Sequence, residues 1–224
     1  IVPRLEERMG VPILNLAKAG DEVRYMLGVE QRERLTRILK RGNPGGGAWE
    51  LLLFSGGGND IVDNPMALWV KDWDPNVPPS ELLHDARFEA ALALVLAGYE
   101  DLITLRDELS PDTHVMLHAY DFAIPDGRGI CHLGPWLRPT FELRRFPNRT
   151  AMSAVVETML TRFADRLAAF AKQHKKVTFI NTQGTLARKT SSWHNELHPS
   201  DKGFDKFVAL FYTQIKQLFP ARVG

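Results

Sequence analysis

Apolar residues follow one another along the chain in two alternating patterns, short continuous runs and longer stretches with helical spacing. The runs at residues 11–16, 49–54, 114–119 and 177–180 predict buried strands, because their apolar character is nearly unbroken. The stretches between them predict helices over residues 21–40, 79–108, 150–174 and 200–219. Strict alternation of strand and helix predicts a parallel sheet covered by helices on both faces.

The first residues have the pattern of a helix already in progress. Residues 4–9 predict a helix that ends at Gly10, since glycine readily adopts the left-handed conformation that follows a helix. The chain opens on Ile1, with neither a methionine nor a signal peptide. We therefore expect that a segment preceding Ile1 belongs to the same domain.

Composition narrows the classes of function. The chain has 224 residues, 44% of them hydrophobic and 25% charged, which suits one soluble α/β domain. A net charge of +1 gives no reason to expect nucleic acid or an anionic membrane as a partner. No apolar run approaches the ~20 residues that span a membrane. Cys131 is the single cysteine, so an internal disulfide is excluded.

Polar residues suited to binding an anionic oxygen follow the first two predicted strands. Ser55 and three glycines precede Asn59 and Asp60 directly after the second strand. The Asn59 side-chain amide there can donate to a developing oxyanion. Gly20 follows the first strand and offers a backbone N–H near a helix start, another suitable donor. Both segments could equally be ordinary turns between a strand and a helix.

His198 lies in a loop directly before the last predicted helix, where Pro199 and Ser200 follow it. A loop histidine can take up a proton near neutral pH and suits a general base. A zinc site with His194 and Glu196 is the alternative, but Glu196 is one position from where the zinc motif needs it. Pro199 also disfavours the helix that such a site requires. We therefore expect no metal and no cofactor.

Gly20, the run Gly57-Gly58-Asn59-Asp60 and the pair His198-Pro199 occur in an order and spacing that resemble the SGNH/GDSL hydrolases, among them bacterial GDSL-type esterases and lipases. The resemblance implies one domain over residues 1–224, a three-layer α/β/α sandwich with a parallel, flavodoxin-like sheet. It also implies a serine ester hydrolase that acts through an acyl-enzyme on a small-molecule or lipid ester. His198 would be the catalytic base, and Gly20 and Asn59 would form the oxyanion hole.

The sequence departs from the family pattern in two respects. The Gly-Asp-Ser segment that would carry the nucleophile is absent from the chain, so we expect an N-terminally incomplete domain with its first strand missing. The position three before His198 is Asn195 where the family has aspartate. The Asn195 main chain, the Glu196 carboxylate and the Asp121 carboxylate are alternative partners for His198, and the sequence does not choose among them.

Three further alternatives follow from these departures. A catalytically inactive SGNH-fold binding or scaffold protein would keep the fold without the nucleophile. A flavodoxin-like phosphate binder is disfavoured because Gly56 to Gly58 lead into Asn59 and not into a phosphate-binding loop. Ser55 is disfavoured as a nucleophile because it precedes the glycines.

In the long irregular stretch over residues 120–148, Phe122, Trp136 and Leu137 could line a substrate pocket or pack the loop onto the domain.

Overall fold

A three-stranded parallel sheet forms the centre of the protein. The computed structural model describes residues 1–130 and 132–223, so Cys131 lies outside the described residues. The strands are β1 (Leu51–Leu53), β2 (His114–His118) and β3 (Val177–Ile180), in the order β1-β2-β3. Leu52 lies opposite Val115, and Met116 lies opposite Thr178. Three of the four predicted strands and their parallel arrangement are confirmed.

Seven α-helices occur among the described residues. They are α1 (Val2–Met9), α2 (Val23–Met26), α3 (Val29–Arg41), α4 (Asp85–Leu109), α5 (Arg138–Leu143), α6 (Arg149–Gln173) and α7 (Asp201–Leu218). Short 3₁₀ turns lie at Asn64–Leu68, Pro79–Glu81 and Thr190–Ser192. Gly10 ends α1 with φ 65°, as predicted. The single helix predicted over residues 21–40 is wrong, because Gly28 adopts an extended conformation there and separates α2 from α3.

The helices form one layer on each face of the sheet. Val115 and Leu117 of β2 belong to a buried cluster that includes Leu102 of α4 and Phe163 of α6. The intervening residue Met116 faces the other way, into a cluster supplied by α1 and α7. The apolar stripe predicted along α6 is buried throughout: Val155, Met159, Phe163, Leu167 and Phe170. These layers confirm the three-layer α/β/α architecture.

The strand predicted over residues 11–16 is wrong. Among the described residues, no strand lies beside this segment, and the Ile13 N–H donates to the Glu6 carboxylate at 2.7 Å. A strand forms only when its N–H and C=O groups find a partner ladder. The β1 edge that faces this segment is separated from it by a cavity of about 1350 Å³.

This cavity, called the β1 slot below, is a largely apolar channel. One side is the free edge of β1 and the other is formed by residues 11–19. Helix α3 contributes Leu35 and Leu39, and helix α7 contributes Phe211 and Ile215. The protein exposes 12056 Å² of surface, against about 10,300 Å² for a compact monomer of its mass.

Membrane insertion through a helix finds no support in the described part of the chain. None of its helices is both long enough and apolar enough to span a bilayer.

At the opposite end of the sheet, Arg106 is a buried cation that joins α4 to the starts of β2 and β3. Its side chain is 1% exposed and donates to the carbonyls of Thr113 at 2.6 Å and Lys175 at 2.9 Å. These bonds satisfy carbonyls that no strand partner reaches. They lie at the amino-terminal ends of the strands, away from the segments that carry Asn59 and His198.

We expect Arg106→Met to lower the free energy of unfolding by about 3 kcal/mol, because it leaves buried carbonyl acceptors without charged donors. Thermal and urea denaturation would measure the change. Arg37→Met is the matched control, since Arg37 forms only an exposed ion pair with Glu33. Equal stability of the two variants would contradict the role assigned to Arg106.

Candidate active site

His198 lies on a narrow, hairpin-like loop that leads into α7. Trp193 and Pro199 form an antiparallel bridge, and the His194 N–H donates to the His198 carbonyl at 2.8 Å. Ser200 caps α7 by accepting from the Gly203 N–H at 3.3 Å. The loop therefore holds His198 firmly, directly before the helix.

Asn195 fixes the orientation of the His198 ring. Its Oδ1 accepts from the backbone N–H groups of Leu197 at 3.0 Å and His198 at 2.8 Å. Backbone N–H groups only donate, so the Asn195 oxygen must face them, and that oxygen lies 3.0 Å from His198 Nδ1. Nδ1 therefore carries a proton in the neutral ring. The lone pair is on Nε2, which is left to act as a base.

The electrostatic surroundings keep His198 neutral. Partial burial and the nearby His194 ring lower the pKa of His198 below its ordinary value of 6.5. The Trp136 ring packs edge-on at 5.9 Å between ring centres. Among the described residues, no carboxylate is hydrogen-bonded to the His198 ring. Its partner is thus a neutral amide.

The Glu196 carboxylate is fully buried, and its hydrogen-bond partners are backbone amides of the loop after β2 and not the His198 ring. Its Oε1 accepts from the backbone N–H groups of Gly127 at 2.9 Å and Arg138 at 3.1 Å. Its Oε2 accepts from Trp136 at 2.6 Å and Leu137 at 2.8 Å. Four amides therefore occupy both oxygens. The structure brings Asn195 to the His198 ring and uses Glu196 to bind the loop that follows β2.

Asp121, the other carboxylate considered from the sequence, is also bound to backbone amides. It is buried and accepts from Phe122 at 2.8 Å, Gly184 at 2.7 Å and Leu186 at 2.8 Å. Gly184 and Leu186 lie in the loop after β3. Asp121 therefore ties the loop after β2 to the loop after β3, as Glu196 does further along the chain.

Asn59 and Gly20 are brought together by hydrogen bonds between their two segments. Asn59 Nδ2 donates to the Asp21 carbonyl at 3.0 Å, one residue from Gly20. The Asp60 carboxylate accepts from the Val23 N–H at 3.0 Å. Because an amide NH₂ has two N–H groups, one fixes the side chain and the other is left for a ligand. Gly20 has φ +83°, a conformation that glycine adopts without strain.

His198 and Asn59 border the same cavity. His198, Asn59 and Asp21 all line the β1 slot, at the end where the strands finish. Ser55 also lines it, with its Oγ 3.3 Å from the Tyr120 hydroxyl. Among the described residues, no serine hydroxyl is hydrogen-bonded to the His198 ring. The site combines a neutral base with donors for an anionic oxygen.

The zinc alternative gains no support from the described residues, which contain no group of three His, Cys, Asp or Glu side chains placed to hold a metal ion. Glu196 is engaged by four amides and is not turned toward His194.

The long loop packs onto the domain and also approaches His198. Leu137 is 1% exposed, and the Arg188 guanidinium covers the Phe122 ring at 4.6 Å. The Trp136 ring contacts His198. Arg128, which the sequence did not single out, donates to the Trp193 carbonyl at 3.1 Å and the Thr190 carbonyl at 3.2 Å. A single loop arginine has no spacing pattern that could have revealed this.

The chain resembles known proteins in its sequence and in its fold. The sequence model of the GDSL-like lipase/acylhydrolase family matches residues 1–206. No curated protein matches the chain significantly. A Streptococcus pneumonia protein assigned provisionally as a platelet activating factor shares the fold, with TM-score 0.54, 16% identity, and coverage of 94% of this chain and 77% of that one.

Two further solved structures share the fold. A Bacteroides ovatus protein assigned provisionally as a GDSL-like lipase has TM-score 0.54 and 17% identity over 98% of this chain. This chain spans 47% of the length of that protein. An extracellular lipase from Streptomyces rimosus has TM-score 0.50 and 17% identity, with coverage of 87% of this chain and 76% of that one.

The geometry of Glu196 predicts a structural effect of its loss. In Glu196→Gln, the amide NH₂ would face two of the four backbone N–H groups, so we expect a loss of about 3 kcal/mol of unfolding free energy. We also expect faster proteolysis within residues 120–137. Glu142→Gln is the control, because Glu142 forms an exposed ion pair with Arg138. A variant as stable as this control would mean that the four bonds contribute little.

Proposed function

We propose that this chain, which belongs to the GDSL-like lipase/acylhydrolase family, hydrolyses carboxylic esters through a covalent acyl-serine. The proposal rests on one observation above all. His198, held by the Asn195 oxygen at Nδ1, lines the same cavity as the Asn59 amide. A base with a fixed tautomer beside a donor for an oxyanion suits acyl transfer.

In the proposed reaction each residue has its own task. His198 Nε2 takes the proton of the serine hydroxyl as its oxygen attacks the ester carbonyl. The free N–H of Asn59 and the backbone N–H of Gly20 donate to the negative oxygen of the tetrahedral intermediate. The imidazolium then protonates the departing alcohol, which leaves the acyl group on serine. Water, deprotonated by His198, releases the acid and restores the serine.

We further propose that the serine arrives on a β-strand lying in the β1 slot. The free edge of β1 offers unpaired N–H and C=O groups to a parallel neighbour. Apolar side chains from α3 and α7 border the slot on its two faces, as a strand buried on both faces requires. Such a strand, parallel to β1, would end beside Asn59 and His198. The expected source is a segment of the same polypeptide that precedes Ile1.

Hydrolysis of p-nitrophenyl acetate and butyrate by the natural full-length polypeptide tests the proposal, together with labelling by a fluorophosphonate probe. We expect His198→Ala to lower kcat at least about a thousandfold and to abolish labelling. His194→Ala is the control: His194 is exposed on the same loop, and although its ring lowers the pKa of His198, kcat measured well above pH 6.5 is expected to stay nearly unchanged.

Mass spectrometry of the labelled protein would identify the serine, and the gene sequence upstream of Ile1 would show whether it lies in a Gly-Asp-Ser turn. A full-length protein that neither turns over these esters nor reacts with the probe would instead favour an inactive binding or scaffold protein.

The neutral partner of His198 predicts an unusual pH profile. Because partial burial and His194 lower the pKa of His198, the acid limb of kcat/KM is expected below pH 6.5. In Asn195→Asp, a carboxylate beside Nδ1 would favour imidazolium and move this limb upward by about 1–3 pH units. We also expect kcat to rise on the alkaline plateau, because the charge stabilises the imidazolium formed in the reaction.

Asn195→Leu is the comparison with Asn195→Asp in which His198 Nδ1 loses its acceptor instead of gaining a charged one. It also leaves two backbone N–H groups unpaired. An unchanged acid limb in Asn195→Asp would show that Asn195 is not the partner of the catalytic base.

A further inference from the structure

The turn that carries Asn59 is held by two tyrosines. The Tyr99 hydroxyl, buried beneath the turn, donates to the Gly56 carbonyl at 2.8 Å. Tyr120 contacts the turn two residues later, where a Cβ added to Gly58 would lie 2.8 Å from its ring. Glycine is therefore required at position 58 for the ring to come so close. Asn59 directly follows Gly58. Of the contacts that Tyr99 makes at Gly56 and Tyr120 makes at Gly58, the second therefore lies nearer to the amide donor along the chain.

Tyr120 is itself held in place from several sides. Its ring stacks on Phe163 of α6, with 6.2 Å between ring centres and 15° between planes. Its hydroxyl lies 3.3 Å from Ser55 Oγ, at the start of the same turn. Burial raises the pKa of Tyr120, against the opposing effects of Ser55 and the Gly58 backbone. The hydroxyl therefore keeps its proton throughout the pH range of an esterase assay.

Together these contacts make Tyr120 a brace across the turn. One end of the turn meets its hydroxyl at Ser55, and the other end meets its ring at Gly58. Tyr120 is also the second residue after β2, so it joins the turn after β1 to the loop that Asp121 and Glu196 bind. A shift of the turn would move Asn59 away from the Asp21 carbonyl that now fixes its amide.

We infer that Tyr120 is a positioning residue that sets the Asn59 amide for oxyanion binding through its contacts with Gly58 and Ser55. The inference rests on the proposed ester hydrolysis and concerns its transition state. Ground-state binding of an ester does not require the amide to be exactly placed, whereas stabilisation of the tetrahedral oxygen does. Loss of the Tyr120 hydroxyl should therefore appear in kcat and leave KM largely unchanged.

Tyr120→Phe tests this inference in the full-length protein, because phenylalanine keeps the ring contacts with Gly58 and Phe163 and removes only the hydroxyl. We expect kcat for p-nitrophenyl butyrate, and the rate of fluorophosphonate labelling, to fall about tenfold, with KM changed less than about twofold. Ser55→Ala should lower kcat by a similar factor. The double variant should match either single variant, because all of these changes remove the same contact between Ser55 Oγ and the Tyr120 hydroxyl.

Tyr99→Phe is the matched control for stability. This change removes a buried hydroxyl that contacts the same turn. The melting temperature of Tyr99→Phe should therefore fall about as much as that of Tyr120→Phe, by about 2–4 °C. Its kcat should stay near that of the natural protein, because both contacts of Tyr120 with the turn, at Ser55 and at Gly58, remain.

The outcomes separate this inference from the proposed function. A tenfold loss of kcat in Tyr120→Phe and not in Tyr99→Phe supports it. Equal kcat in the two tyrosine variants, or a change in KM only, would overturn it while leaving the esterase proposal intact. A natural full-length protein without esterase activity would overturn both.

Discussion

The Glu196 carboxylate, buried among four backbone N–H groups, connects the two loops that surround the candidate site. A buried anion is tolerable only when hydrogen bonds replace its lost hydration. Three of its donors, the N–H groups of Trp136, Leu137 and Arg138, lie at the start of α5, where helical N–H groups lack internal partners. The carboxylate and the helix start therefore satisfy each other. Because Glu196 is two residues before His198, this arrangement also sets where the His198 ring can lie.

The use of Asp121 and Glu196 in these loops has an electrostatic consequence for His198. Both carboxylates are bound to backbone amides, so the ring is oriented by the neutral Asn195 oxygen. Such a partner fixes the tautomer as well as a carboxylate would, but it adds no charge to stabilise imidazolium. The geometry of a base is thus kept while its basicity falls. A base of this kind stays unprotonated in more acidic solution and reacts more slowly at neutral pH.

The sequence predicts local features well and long-range ones poorly. The strands at residues 114–119 and 177–180 follow from unbroken apolar runs. The places of Asn59 after a glycine turn and of His198 before the last helix follow from their local sequence. The role of Glu196 could not be predicted, because its donors lie 58 to 69 positions away along the chain. The strand expected at residues 11–16 has the right composition, but a strand also needs a neighbour with a matching ladder.

The β1 slot, which separates residues 11–16 from the edge of β1, also bears on where the candidate site lies. From β1 the sheet grows in one direction, through β2 to β3, whereas residues 11–19 precede β1 and lie beyond the slot on its other side. Ligands of open α/β sheets bind where the order of segments reverses, because the loops on the two sides diverge and leave a crevice. Here Asn59 follows one side and Asp21 the other, and their 3.0 Å bond spans the crevice at its carboxyl end. A strand in the slot would end between these two segments. The gap that leaves residues 11–16 unpaired therefore also determines where a nucleophile would have to enter.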